Sequence, residues 1–139
     1  MKKIIATLSL MMLFAISGFS QPDISFQNEL QRSIDRGISA LEKSQNENGH
    51  WTSEDHPAVT AIVLVAYHSN PRKPEKHPAW VEKAHAHLLK FVQKNGSIYV
   101  PGKGMANYNT ALSMMAMLTS NDKKYNETII NARRFLVGQ

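Results

Sequence analysis

The chain has 139 residues, 42% of them hydrophobic, with a formal charge of +5 and no cysteine. That allows one modest core and excludes a disulfide framework or a thiolate metal site. The cations are dispersed, with Arg72, Lys73 and Lys76 in a proline-rich connection and Lys103 in another loop. They are not interleaved with aromatic rings, so no nucleic-acid partner is expected.

Lys2 and Lys3, an apolar run over residues 4–16 and the small-residue site Gly18-Phe19-Ser20 predict a signal peptide over residues 1–20, cleaved after Ser20. The run falls short of the roughly 18 residues that a membrane span needs. The expectation is a bacterial chain that is periplasmic or secreted, with no stable membrane span after cleavage. Residues 21–139 are then the folded part.

Leu30, Ile34, Ile38 and Leu41 recur at helical spacing and predict an amphipathic helix over residues 29–45. Asn46, Asn48 and Gly49 end it, because Asn-Gly accepts the positive φ of a helix exit. Trp51 follows at a distance that lets its ring lie over the turn. The Gln45 amide is placed to bond backbone groups freed at a neighbouring helix end, so both residues read as structural.

Thr52 and Ser53, with the group Glu54, Asp55 and His56, precede Pro57, which suits a first helical position. These side chains are expected to cap a second helix, where acids favour the positive end. Glu54, Asp55 and His56 are also weak candidates for presenting an acid or a ligand. Residues 58–67 are apolar nearly all round, as in a helix covered on every side; their β-branched content also fits a buried strand.

After the Pro71, Pro74 and Pro78 connection, Val81, Ala84, Leu88 and Phe91 predict a second amphipathic helix over residues 78–93, ended by Asn95-Gly96 and followed by Tyr99. Asn109 is placed to cap a second apolar helix over residues 110–118. Its Met114, Met115 and Met117 read as core. Lys103 between glycines offers an anion contact, without a phosphate-loop pattern around it. Asp122 can cap a fifth helix with the stripe Tyr125, Ile129, Ala132 and Phe135. Gly49 recurs as Gly96 and Thr60-Ala61 as Thr110-Ala111, a period of about 50 residues that signifies stacked helical hairpins. The six histidines, His50, His56, His68, His77, His85 and His87, are expected at the surface or at caps, since His85 and His87 point to different helix faces. No metal site is expected from them.

Arg36, Gly37, Leu41, Gln45, Gly49 and Trp51 fill the pattern Arg-Gly-x-x-x-Leu-x-x-x-Gln-x-x-x-Gly-x-Trp. This resembles the QW repeat of squalene-hopene and oxidosqualene cyclases. It departs at Ala40, where that family usually carries an aromatic residue. The second copy is degenerate, with Gln93 and Gly96 one residue too close and the aromatic late, at Tyr99. Residues 131–139 fit the first half of another repeat through Ala132, Phe135 and Leu136, so the chain is expected to be a fragment cut inside its third hairpin. The text of residues 96–99 and 106–117 is similar to a group of exported bacterial proteins that carry the repeat.

The resemblance implies the α/α-toroid of the terpenoid cyclase and protein prenyltransferase superfamily, all-α, here an incomplete arc of about five helices. Amphipathic helices would lie outside and apolar helices inside, with the remainder of the toroid as a partner. It further implies an apolar cavity for a prenyl or lipidic small molecule. The chemistry of the relatives is not carried over: there is no DxDD acid cluster, Ser53-Glu54-Asp55-His56 does not reproduce one, and no cysteine is present for their zinc site. Whether the chain is an enzyme stays open, catalytic residues are unknown and no cofactor is implied. The rival expectation is a non-catalytic helical scaffold that binds protein or glycan.

Overall fold

A computed structural model describes residues 23–138. The expected signal peptide lies outside the described residues. The chain divides into two compact units, Met1–Ser33 and Ile34–Gln139. Among the described residues the fold is all-α, with helices α1 (Ile24–Ser44), α2 (Pro57–His68), α3 (Ala79–Leu89), α4 (Ala106–Ser120) and α5 (Asn126–Val137), the last entered through a 3-10 turn at Lys123–Tyr125.

In the first unit, α1 starts where the Asp23 carboxylate accepts the amides of Ser25 and Phe26 at 2.9 and 3.2 Å, a side-chain cap. Leu30, expected on a buried stripe, is 52% exposed. Core packing along this helix begins only with Ile38 and Leu41, in the second unit.

The apolar residues 58–67 are helical and not a strand. Within the second unit α2 and α4 lie side by side, α3 packs on α2 and α5 on α4. Ala61, Thr110, Ser113 and Ala116 are fully buried on the central pair, and their small side chains let the two helices approach closely. Leu64, Tyr67, Trp80, Val81, Leu88, Ile98, Met117 and Tyr125 fill one core around them.

Three helix starts and one helix end differ from expectation, each for a local reason. Helix α1 begins at Ile24, where Asp23 caps it, rather than at residue 29. The second apolar helix begins at Ala106 rather than Thr110, because the left-handed Met105 (φ 57°) turns the chain into it earlier. Asn109 therefore stands inside the first turn of α4 and does not cap it. Residues 90–93 leave the helix because Asn95-Gly96 closes a small antiparallel turn there, with a bridge between Val92 and Ile98 and a 2.8 Å bond from the Gln93 amide to the Ser97 carbonyl. Asp122 caps the 3-10 turn, accepting the Lys124 amide at 3.0 Å, before α5 starts.

Of the methionine trio, Met117 is fully buried while Met115 is 39% exposed, so only part of it is core. No helix among the described residues is long and apolar enough to cross a membrane.

Candidate functional site

Three places in the second unit carry the residues singled out above: the turn after α1, the mouth of α2, and the flanks of α3. A fourth, the outward faces of α2 and α4, emerges from the structure.

At the turn, the Asn46 side chain accepts the amides of Asn48 and His50 at 2.9 and 3.2 Å, which bends the chain back on itself. Gly49 has φ +90°, and a Cβ at this position would lie 2.6 Å from the Lys83 carbonyl oxygen on α3. Glycine is thus required both by conformation and by space. The Gln45 amide donates to the Gly49 carbonyl at 3.1 Å and to the Trp80 carbonyl, at the start of α3, at 2.9 Å. The Trp51 indole N–H donates to the Leu41 carbonyl at 2.9 Å and meets Ser44 Oγ at 3.1 Å. Its ring is 6% exposed and stands edge-on to Trp80, centroids 6.0 Å apart. Leu41 is half-buried, whereas Arg36 and Gly37 lie on the exposed side of α1.

The same construction recurs one unit later with different atoms. Gly96 presses against the Asn131 backbone of α5 as Gly49 does against Lys83. Gln93 donates to the Phe91 and Tyr99 carbonyls at 2.9 and 3.2 Å, back into its own turn rather than across to the next helix. Two residues after the glycine stands Ile98, fully buried, in the place that Trp51 holds in the first copy. Tyr99, where the sequence put the late aromatic, is only half-buried.

The mouth of α2 corrects the capping expectation. His56 occupies the N-cap position without a side-chain cap bond. The Ala58 amide is instead satisfied by Asn109 Oδ1 of α4, 3.2 Å away. The Asp55 carboxylate turns to Lys103, 2.8 Å away, and this exposed ion pair holds the carboxyl below its ordinary range through the Lys103 hydrogen bond. Glu54 and His56 are exposed. Lys103, between the loop glycines, is engaged by the Asp55 carboxylate.

The histidine expectation is overturned for four of six. His50, His68, His85 and His87 are 6, 3, 1 and 1% exposed. His77 is half-buried; only His56 remains at the surface. His85 and His87 do point to different sides of α3, but both sides are covered. His68 Nε2 and His85 Nε2 are 2.9 Å apart, His85 stacks on Tyr125 at 4.7 Å, and His87 lies 4.7 Å from the His50 ring. Burial is the chief cause that lowers their proton affinity, to a pKa of about 4 for His68, about 3 for His85 and about 4 for His87. No group of three or more metal-ligating side chains converges among the described residues. A signal existed in the sequence: His85 falls four residues after Val81 and three before Leu88, on the buried stripe.

Large apolar side chains stay exposed on both central helices. On α2 Ile62 is 47% exposed, and on α4 Tyr108, Met115 and Leu118 are 50, 39 and 52% exposed. Val59, Val65 and Leu112 are half-buried beside them. Nearby, an open groove of about 270 Å³ runs between the end of α4 and α5, lined by Met117, Leu118, Asn121, Asp122, Lys123, Asn126 and Ile129.

Comparison of the chain with protein-family models, with curated proteins and with solved structures returns no match.

Proposed function

We propose that the chain is a QW-repeat protein of the terpenoid cyclase and prenyltransferase-like superfamily, part of an exported α/α-toroid, and that α2 and α4 offer an apolar surface to a prenyl or other lipidic chain. The supporting observation is the exposure of Ile62 on α2 and of Tyr108, Met115 and Leu118 on α4, the two helices that pack side by side. A contiguous exposed apolar patch is the kind of surface that takes an apolar ligand or partner. The Gln45 and Trp51 bonds support the repeat reading, since they fix the turn after α1 to itself and to the next helix.

Nothing at this surface supplies an acid or a base. Of the singled-out carboxylates, Asp55 is bound to Lys103, and Asp122, beside Leu118 in the groove, is bound to Lys124. The reading is therefore one of binding, with catalysis left to residues of other parts of a toroid.

Mass spectrometry of lipid co-purifying with the protein tests the reading. Lipid is expected with the natural chain and is expected to be lost in Ile62→Asp and Met115→Asp, with helical content retained. A purified chain without any lipid sinks it and favours the non-catalytic scaffold for protein or glycan.

A further inference from the structure

We propose that buried imidazoles make α3 an acid-released element: His85 packs against His68 on one flank and His87 against His50 on the other, and proton uptake at His68, His85 and His87 frees the helix. This does not depend on what the apolar face binds.

The geometry allows little else. A 2.9 Å contact between two Nε2 atoms needs one N–H and one lone pair, so the His68–His85 pair is held together only while at least one ring is neutral. The Nδ1 atoms of both rings, and both ring nitrogens of His87, are buried without a hydrogen-bond partner, so an added proton would have no acceptor. An uncompensated buried charge is among the most destabilising groups a core can hold.

The surroundings do not rescue it. Facing the first pair are Tyr67 of α2, Lys73 and His77 of the α2–α3 connection, Glu82 of α3 itself, and Asp122, Lys124 and Tyr125 at the entry to α5. The two carboxylates among these, Glu82 and Asp122, are both engaged by Lys124, at 3.0 and 2.9 Å. Facing His87 are His50 from the turn, Lys90 just past the end of α3 and the solvent-exposed Glu54. Phe91 closes this flank, its ring 4.9 Å from that of His87. Cations and neutral rings thus predominate around both flanks.

The sign follows from linkage. The three rings bind protons less readily in place than when released, so the released form gains protons first as pH falls below about 6.5, and the advantage grows down to about 4, where His68 and His87 begin to protonate in place. Each such ring raises the released-to-held ratio by up to about tenfold per pH unit in that window.

Amide hydrogen exchange of the full chain at pH 7 and pH 5, corrected for intrinsic rates, tests the proposal. Protection in α3 is expected to fall at least about tenfold relative to that in α4. A constant ratio between the two helices overturns it. Phenylalanine fills the same space without titrating, so a variant carrying His68→Phe, His85→Phe and His87→Phe is expected to lose the differential, and a variant with the natural response overturns the proposal. Should that variant not fold, imidazole titration of the natural chain by NMR decides: rings that protonate near pH 6.5 while α3 stays protected overturn the assignment.

Discussion

Trp51 and Gly49 show how much one turn depends on single atoms. The indole is buried, bonded at its N–H and packed edge-on to Trp80. Trp51→Ala is expected to cost about 3 to 5 kcal/mol in urea unfolding, from lost burial plus a cavity. A loss below about 0.5 kcal/mol would contradict this. The two motif glycines should behave oppositely. Gly37 is helical and a Cβ there meets nothing within 4 Å, so Gly37→Ala is expected to raise stability by about 0.5 to 1 kcal/mol. Gly49→Ala meets the Lys83 backbone and a left-handed φ, and a clear fall in melting temperature is expected. Equal effects at the two sites would show that the turn adapts freely.

At the scale of elements, helices cap one another across the fold. The amide of Ala58 in α2 is served by Asn109 of α4, so Asn109→Ala is expected to destabilise by about 0.5 to 2 kcal/mol, while His56→Ala leaves the melting temperature unchanged. Thermal unfolding of the two variants checks both. Such a cap explains what the sequence made legible. Periodicity places the three amphipathic helices, continuous apolar runs place the other two, and turn residues place the Gln45, Gly49 and Trp51 turn, because those signals are local. Asn109 looks like the cap of its own helix because a cap across about fifty residues leaves no local trace. The Asp55 link to Lys103 is hidden for the same reason. The histidines were misplaced by residue type: imidazole is polar on average, yet His85 shares the spacing of Val81 and Leu88. Exposure of Leu30 was equally illegible, since an apolar stripe marks a face and not whether that face is covered.

At the scale of the whole second unit, each glycine turn presses on a later helix, Gly49 on Lys83 of α3 and Gly96 on Asn131 of α5. Stability in such an arrangement is shared between neighbours. Acid should test it globally. His68, His85 and His87 take up protons near pH 6.5 when unfolded but only near 3 to 4 when folded, chiefly through burial. The unfolded chain therefore binds more protons between these values. Stability is fully present above about pH 6.5 and is expected to fall steadily toward pH 4. Urea midpoints at pH 7, 6 and 5 should decline in that order; a flat series would contradict burial of neutral rings.

Both turns carry Asn-Gly, the dipeptide in which a backbone nitrogen most readily attacks the preceding side-chain amide to close a succinimide and leave isoaspartate. Here the attacking nitrogens are already engaged: the Gly49 amide donates to the Asn46 carbonyl at 3.1 Å and the Gly96 amide to the Gln93 carbonyl at 2.9 Å. Deamidation at these two sites is thereby slowed in the folded chain, and opening of the turns is expected to speed the appearance of more acidic forms on storage.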